Sequence, residues 1–165
     1  MIQRYVIMGV SGCGKSSIGA AFAVAIGGLF IDGDDLHPAA NVAKMASGQP
    51  LGDADRAPWL IKIGQALQIC TGPVVIGCSA LKRRYRDVIR AEAGQPVMFV
   101  HLAGTQSVLL SRMAARTGHF MPPSLLESQL AALEPPGSDE AAVTVNIDQT
   151  PQAILQEILG KIGKP

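Results

Sequence analysis

Residues 9–16 restrict the fold of this chain more than any other segment. They read Gly-Val-Ser-Gly-Cys-Gly-Lys-Ser and match the pattern G-x-x-x-x-G-K-[S/T] in full. An apolar stretch at 5–8 precedes the segment, and a stretch with helical spacing at 17–26 follows it. A strand, a glycine-rich turn and a helix in this order form a cradle for phosphate groups, so the segment predicts a nucleotide-binding loop.

The residue types of this loop indicate how it binds the phosphates of a nucleotide. Its glycines allow successive backbone N–H groups to turn toward phosphate oxygens, and Lys15 adds a positive charge. The hydroxyl of Ser16 is placed to bind Mg²⁺. We therefore expect a nucleotide with β- and γ-phosphates, and Mg²⁺, as cofactors. The predicted nucleotide-binding residues of the loop are Gly9, Val10, Ser11, Gly12, Cys13, Gly14, Lys15, Ser16 and Ser17.

Short apolar stretches alternate with helical patterns along the whole chain. The predicted strands are residues 5–8, 29–31, 74–76, 97–102 and 143–147. This alternation predicts an α/β fold with a parallel sheet, and the uniformly apolar strands indicate helices on both of its faces. A length of 165 residues favours one domain, 1–165. Ligands are expected at the carboxyl ends of the strands.

Charge and composition exclude several classes of partner. The chain has 14 Lys and Arg against 13 Asp and Glu, so no strong field attracts nucleic acid or an anionic membrane. No apolar run approaches the length of about 18 residues that a spanning helix needs. The cysteines, Cys13, Cys70 and Cys78, lack metal-ligand spacing, and an odd number leaves one unpaired. We therefore expect a cytoplasmic protein.

Carboxylates follow the second predicted strand, where the terminal phosphate should lie. In an extended segment Asp32 and Asp34 point the same way, so Asp32 is expected near Mg²⁺ and Asp34 as the base for an acceptor hydroxyl. The alternative is that they only form a turn or cap a helix, which is common at strand ends. His37 is either a hydrogen-bonding partner of the substrate or a structural histidine.

Basic residues are spread over the middle of the chain. A kinase needs cations on the transferred phosphoryl group, and an acidic acceptor needs a cation for its carboxylate. Solvated surface charge is the third role, and it is the usual one for Lys and Arg on a helix. The sequence alone does not divide these roles among Lys44, Arg56, Lys82, Arg83, Arg84, Arg86, Arg112 and Arg116.

The segment 117–136 has a weaker pattern than the rest of the chain. Pro122 and Pro123 precede a helical stretch at 124–133, and Pro135 and Pro136 follow it. Such a segment is either a mobile lid or an ordinary helix packed on the body of the protein. Further helix starts are predicted at Pro38 and Pro58, and a final helix at 151–162.

Several motifs outside the glycine-rich loop are much more restrictive than the loop itself. They are Leu36-His37-Pro38, Asp55-Arg56-x-Pro58-Trp59-Leu60, Cys78-Ser79-Ala80-Leu81-Lys82, Tyr85-Arg86-Asp87 and Gly118-His119-Phe120. With them the chain resembles the gluconokinase family over nearly its whole length. Two positions depart from the family pattern: Cys13 replaces an expected serine, and Asp35 replaces an expected aromatic residue beside the acceptor site.

The resemblance implies a P-loop kinase fold of three layers, with a five-stranded parallel sheet and a small lid over ATP. The implied reaction transfers the γ-phosphoryl group of MgATP to the 6-hydroxyl of D-gluconate. The implied catalytic residues are Lys15, Asp34 and Arg116, with Arg112 as a second candidate for binding the ATP phosphates. The implied acceptor-binding residues are Asp34, His37, Lys44, Arg56, Ser79, Lys82, Arg86 and His119. The family includes dimers, so a homodimer is one arrangement for this chain.

Three other functions compete with this interpretation. One is a kinase of the same fold with a different small alcohol, such as shikimate, as its acceptor. A second is a nucleoside monophosphate kinase. The third is a nucleotide-binding regulatory module without turnover. The presence of Lys15, Ser16, Asp34 and Arg116 argues against it, because binding alone needs no acceptor base.

Overall fold

Five parallel strands form the central sheet of the protein. The structure is a computed structural model that describes residues 1–115 and 123–163. The strands lie side by side in the order β2-β3-β1-β4-β5. Each begins and ends within one residue of its predicted bounds, so the predicted α/β fold with a parallel sheet is confirmed. The strands are β1 (Arg4–Met8), β2 (Leu29–Asp32), β3 (Val74–Gly77), β4 (Met98–Ala103) and β5 (Ala142–Asn146).

Helices connect the strands, as parallel neighbours require. The described residues form α1 (Lys15–Ala25), α2 (Ala39–Ala46), α3 (Asp53–Ile69), α4 (Arg83–Ala93), α5 (Gln106–Ala114), α6 (Pro123–Ala132) and α7 (Pro151–Ile162). The predicted start at Pro58 is wrong, because α3 already begins at Asp53. Asp55 Oδ2 accepts a hydrogen bond of 2.7 Å from the backbone N–H of Gly52, which stabilises this earlier start.

The sheet has a hydrophobic layer on each face. In β1, Tyr5 and Ile7 belong to the cluster that contains Phe22 of α1 and residues of α7, whereas Val6 and Met8 belong to the cluster of α3 and α4. Successive side chains of a strand point to opposite faces, so a uniformly apolar strand contributes to both layers. This is the helix-sheet-helix arrangement that the apolar strands predicted.

The carboxyl ends of the strands lie together at one edge of the sheet. Ile7 is in register with Gly77, and Asp32 is in register with the same residue from the other side. The loops that leave β1, β2 and β3 therefore start close to each other. These three loops contain the glycine-rich segment, the carboxylates and the motif that begins at Cys78.

Helix α6 covers part of the predicted lid segment. It begins at Pro123 and ends at Ala132, one residue before each of the predicted bounds. Its Leu126 is completely buried and belongs to the same hydrophobic cluster as Val10 and Leu109. Residues 116–122 lie outside the described residues, and a lid over 117–136 stays a prediction.

Candidate active site

The glycine-rich loop connects β1 to α1 and has the backbone of an anion cradle. Gly9, Gly12 and Gly14 have φ angles of 147°, 84° and 96°. A Cβ atom on Gly9 would lie 2.8 Å from Cys13 Sγ and 2.9 Å from the carbonyl oxygen of Leu102, so the loop excludes a side chain there. No side chain of the described residues caps the N-terminus of α1. Its free N–H groups and its dipole therefore favour an anionic ligand.

Lys15 begins α1 and reaches back over the loop. Its ammonium donates hydrogen bonds of 3.1 Å to the carbonyl oxygens of both Gly9 and Val10. Ser16 and Ser17 follow in the first turn of the helix, and both are exposed. Because these two carbonyls carry no net charge, a phosphate oxygen can compete for the charge of Lys15.

The carboxylates at the end of β2 are arranged by a short 3-10 helix, Gly33–Leu36. The expectation of an extended segment, with Asp32 and Asp34 on one side, is therefore wrong. Asp32 Oδ1 accepts a hydrogen bond of 3.0 Å from the backbone N–H of Asp34 and caps the turn. Asp32 thus has the capping role that the alternative interpretation suggested, and its second oxygen remains available to a ligand.

Asp34 has the electrostatic environment of a base. Its side chain reaches solvent, yet enough protein surrounds it that desolvation raises the pKa of the carboxyl above its ordinary value. The negative charge of Asp32 raises this pKa further, and the ammonium of Lys15 opposes the rise. A higher pKa makes the carboxylate a better proton acceptor.

His37 is held rigidly beside Asp34. Its ring stacks on the indole of Trp59, with centroids 4.1 Å apart and planes 15° apart, and its Nδ1 lies 3.3 Å from Asn41 Nδ2. The indole N–H of Trp59 donates a 2.8 Å hydrogen bond to the carbonyl of Gly33. Burial lowers the pKa of His37, although the charge of Asp34 opposes this, so the neutral ring is favoured.

A cluster of cations surrounds the ring of Tyr85 in α4. The charged groups of Arg56, Lys82 and Arg84 lie 5.7, 5.7 and 5.8 Å from the ring centroid. The hydroxyl of Tyr85 donates a hydrogen bond to Asp53, which also pairs with Lys82 at 3.4 Å and with Arg84. One carboxylate thus faces several cations, so this cluster can accept a further anion.

Lys44, another predicted cation of the acceptor side, is paired within the protein. Lys44 Nζ lies 2.7 Å from Asp55 Oδ2 and has its side chain partly exposed. The guanidinium of the neighbouring Arg56 donates a 2.6 Å hydrogen bond to the carbonyl of Leu51, which aims it toward Tyr85. A phosphate cradle, a carboxylate with a raised pKa and a cation cluster therefore surround the carboxyl edge of the sheet.

Known proteins are similar in sequence to nearly the whole chain. The chain is 48% identical over 157 residues to a gluconokinase of Gluconobacter oxydans, and the match covers 93% of this chain and 88% of that protein. The chain belongs to the gluconokinase family. No family-wide sequence profile matches it. As a member of the gluconokinase family, it is an ATP-dependent kinase that phosphorylates an alcohol group.

Solved structures agree with the gluconokinase assignment. A crystal structure of a gluconokinase from Sinorhizobium meliloti superimposes with a TM-score of 0.89 at 52% identity, covering 95% of this chain and 89% of that one. A shikimate kinase from Bacteroides thetaiotaomicron has a TM-score of 0.70 at 17% identity, which shows that the fold is shared. The fold of the gluconokinase family is thus confirmed for this chain as a P-loop kinase fold.

Arg86 does not take the acceptor-binding position that the gluconokinase resemblance implied. Its side chain is completely buried, and Nε and Nη2 donate hydrogen bonds of 2.8 and 2.9 Å to the two carboxylate oxygens of Glu140. Nη1 donates to the carbonyls of Ala80 and Leu81. We therefore correct this prediction: Arg86 is a structural residue, because an acceptor cannot reach its guanidinium.

The other predicted site residues lie at the edge of the site or outside the described residues. Arg112 donates to the carbonyls of Ile147 and Gln149, beyond β5. The carbonyl of Ser79 accepts a 3.2 Å hydrogen bond from the N–H of Gly9, which ties the β3 loop to the phosphate loop. Arg116 and His119 lie outside the described residues.

Sequence reasoning missed functional contacts that involve Asp53, Tyr85 and Gln129. Tyr85 belongs to a family motif, but its neighbours in space come from α3 and from the start of α4. Gln129 of α6 contacts Ser11 of the phosphate loop, 118 residues away. Asp53 is one of the residues that resemble the gluconokinase family, but the sequence alone assigns it no role, and the predicted helix start at Pro58 concealed its place at the start of α3.

Proposed function

We propose that this enzyme transfers the γ-phosphoryl group of MgATP to the 6-hydroxyl of D-gluconate, giving ADP and 6-phospho-D-gluconate. The observation that carries the proposal is 48% identity to a gluconokinase across nearly the full length of both chains. The site supports it, because Lys15 and Asp34 lie close enough for the charge of one to affect the pKa of the other. Phosphate binding and acceptor activation can therefore occur at one edge of the sheet.

Asp34 is the proposed base. The acceptor oxygen attacks the γ-phosphorus, the bond from that phosphorus to the bridging oxygen of ADP breaks, and the hydroxyl proton goes to the carboxylate of Asp34. The cap that Asp32 places on the 3-10 helix holds the backbone of Asp34, and the stack of His37 on Trp59 supports the end of the same helix. This rigidity favours catalysis because a base must be positioned before the reaction.

The loop from Gly9 to Ser17 is the proposed phosphate site. The backbone N–H groups of this loop that do not donate within the protein, together with the ammonium of Lys15, would bind the β- and γ-phosphate oxygens and stabilise the charge that develops on transfer. We propose Arg112 and Arg116 as further cations for the phosphates. For Arg112 this requires release of its carbonyl partners beyond β5.

Ser16 and Asp32 fit a role in binding Mg²⁺. The hydroxyl of Ser16 is exposed, and the cap on the 3-10 helix uses one oxygen of Asp32 and leaves the other available. The described residues contain no group of three or more His, Cys, Asp or Glu suited to a metal ion. This donor set suits Mg²⁺, which typically takes one or two protein oxygens and completes its shell with phosphates and water. When bound, the ion neutralises charge on the phosphates.

The acceptor site is proposed to contain His37, Lys44, Arg56, Ser79 and Lys82, and also His119. Gluconate carries a carboxylate and several hydroxyls, which suit cations and neutral hydrogen-bonding groups respectively. Arg56 and Lys82 approach the same face of the site around Tyr85. We assign the carboxylate to this cation cluster.

The test is an ADP-release assay of the purified enzyme with MgATP. D-gluconate is compared with shikimate, glycerate, glucose and AMP, and a reaction without acceptor gives the rate of hydrolysis by water. We expect turnover with D-gluconate to exceed that with every other acceptor. Activity with another acceptor alone would overturn the assigned substrate, and ATP binding without turnover of any acceptor would indicate a regulatory module.

We also propose a cytoplasmic location and leave a homodimer as a proposal. No helix within residues 1–115 and 123–163 combines the length and the apolar character needed to cross a membrane. The thiols of Cys13 and Cys78 are buried, and burial raises the pKa of Cys78 to about 12, which keeps this thiol protonated. Cell fractionation and the mass of the enzyme in solution test these two proposals.

A further inference from the structure

Helix α6 makes a paired contact with the phosphate loop through one side chain. The carboxamide oxygen of Gln129 accepts a 2.7 Å hydrogen bond from the backbone N–H of Ser11, and its Nε2 donates a 3.1 Å hydrogen bond to Ser11 Oγ. The oxygen and the nitrogen of one carboxamide thus bond to the N–H and the hydroxyl of the same loop residue. The sequence offers no local signal for this contact, because 118 positions separate the two residues.

The chemistry of Ser11 determines how the carboxamide is oriented. A backbone N–H can only donate, so the group of Gln129 that faces it must be the oxygen. The amide nitrogen then faces Ser11 Oγ and donates to one of its lone pairs. The single hydroxyl proton of Ser11 is left to be donated elsewhere, and an accepted hydrogen bond makes that proton a stronger donor.

Helix α6 is anchored on both sides of Gln129, which makes this contact rigid. One turn before it, Leu126 is completely buried in the core cluster that also contains Val10 and Cys13. Five residues after it, the N–H of Glu134 donates a 2.8 Å hydrogen bond to the carbonyl of Leu81, and Glu134 Oε1 accepts a 3.0 Å hydrogen bond from the N–H of Arg83. The helix and the residues that follow it therefore connect the phosphate loop to the loop that leads into α4.

This connection relates Ser11 to the proposed acceptor site. The loop that leads into α4 contains Ser79 and Lys82 of the proposed acceptor site, and the carbonyl of Ser79 accepts a hydrogen bond from Gly9 at the start of the phosphate loop. The transferred phosphoryl group must lie between the nucleotide and the acceptor. Gln129 and Glu134 thus connect Ser11 with the loop that contains Ser79 and Lys82.

We propose that Gln129 is a positioning residue that holds the hydroxyl of Ser11 as a hydrogen-bond donor to the terminal phosphate of bound ATP. This proposal rests on the proposed function only in placing ATP in the loop, and it does not depend on which alcohol is phosphorylated. It assigns α6 a role in distinguishing ATP from ADP, because only ATP has the phosphate that this hydroxyl binds.

The experiment compares nucleotide affinities of the full-length enzyme and three variants. Gln129→Met keeps the length of the side chain and removes both hydrogen bonds, Ser11→Ala removes the hydroxyl, and the third variant combines both changes. Ser128→Ala is the matched control, because Ser128 is exposed on the same helix and its hydroxyl donates only to Leu125 within that helix. Dissociation constants are measured with Mg²⁺ for ADP and for the β,γ-imido analogue of ATP, and thermal unfolding confirms that each variant is folded.

We expect Gln129→Met and Ser11→Ala each to weaken binding of the ATP analogue by about 10- to 100-fold, the effect of losing a hydrogen bond to a charged group. Affinity for ADP should change less than twofold. The double variant should be no weaker than Ser11→Ala alone, because both changes remove the same interaction. Equal losses for ADP and the analogue, or additive losses in the double variant, would overturn the proposal.

The result of this binding experiment can be distinguished from the result of the ADP-release assay that tests the proposed function. If the wild-type enzyme fails to phosphorylate D-gluconate but the two variants still lose affinity for the ATP analogue alone, the assigned acceptor is wrong and the role of Gln129 stands. If D-gluconate is phosphorylated and the variants bind both nucleotides like the wild type, the role of Gln129 is wrong. Should Gln129→Met not fold, Ser11→Ala still decides whether the hydroxyl distinguishes the two nucleotides.

Discussion

Arg86 and Glu140 form a bidentate ion pair in the interior of the protein, with hydrogen bonds of 2.8 and 2.9 Å between their side chains. Arg86 is completely buried, and it also donates to the carbonyl of Ala80, whose φ angle of 43° is unusual for a residue other than glycine. Hydrogen bonds to Arg86, Arg90 and the N–H of Gly137 hold the pKa of the Glu140 carboxyl far below its ordinary value. The pair thus stabilises the loop between β3 and α4, next to the acceptor site.

Removing one member of this pair should destabilise the fold. We expect Arg86→Met to lower the free energy of unfolding by about 3–5 kcal/mol, because the carboxylate of Glu140 would be left buried without its main partner. Urea unfolding measures this change. The matched control on α4 is Arg83→Ala, which breaks the exposed pair with Asp139 and should have a much smaller effect. Equal effects of the two substitutions would contradict the structural role of Arg86.

Asp34→Asn should remove the proposed base. Turnover with D-gluconate should fall by about 10²–10⁴-fold, the usual contribution of a general base, while ATP binding changes little. Steady-state kinetics and a direct binding measurement check the two halves of this expectation. Asp35→Asn is the control, since this neighbouring carboxylate is exposed. Near-normal turnover of Asp34→Asn would remove the residue from the role of base.

The fall in activity at low pH should reflect protonation of the same carboxyl group, that of Asp34. Burial and the charge of Asp32 raise the pKa of Asp34, so kcat/KM for gluconate should fall as the pH is lowered toward a value above the ordinary 3.8. A profile measured at saturating Mg²⁺ tests this. An acid limb at or below pH 3.8 would show that protonation of Asp34 does not limit the reaction.

Arg56→Ala should weaken binding of the acceptor much more than binding of ATP. Arg56 lies over the ring of Tyr85 within the cation cluster, so its loss should raise KM for gluconate far more than KM for ATP. Lys62→Ala, an exposed change on the same helix, serves as the control. An equal rise in both KM values would instead assign Arg56 to the phosphates.

His101 should make the stability of the protein depend on pH. The residue is buried in β4, and its Nδ1 has no hydrogen-bond partner among the described residues. Burial, together with the charge of Arg86, lowers its pKa from 6.5 to about 4. The unfolded chain therefore binds a proton that the folded protein does not, so stability is lost as the pH falls from about 6.5 to about 4, by about 3 kcal/mol in total.

The variant His101→Leu isolates this effect from that of His37, whose lowered pKa acts in the same direction. Urea unfolding of the wild type and the variant at several pH values between 4 and 7 measures the slope. The slope should be smaller in the variant. An unchanged slope would show that His101 is not the group responsible.

The chain by itself determined the sheet, its flanking helices and the phosphate loop, because each depends on residues that are adjacent in sequence. Strand bounds follow from runs of apolar residues, and the cradle follows from Gly9, Gly12 and Gly14 between a strand and a helix. The family motifs added the reaction and most of the proposed site.

The tertiary structure decided which of these side chains meet. It folded Gly33–Leu36 into a 3-10 helix capped by Asp32, and it buried Arg86 against Glu140, 54 positions away. It also brought Gln129 to Ser11 and gathered three cations around Tyr85. Partners of this kind depend on how whole helices pack on the sheet, and the free energy that selects them comes from burial and charge in the assembled fold, not from the local pattern of the chain.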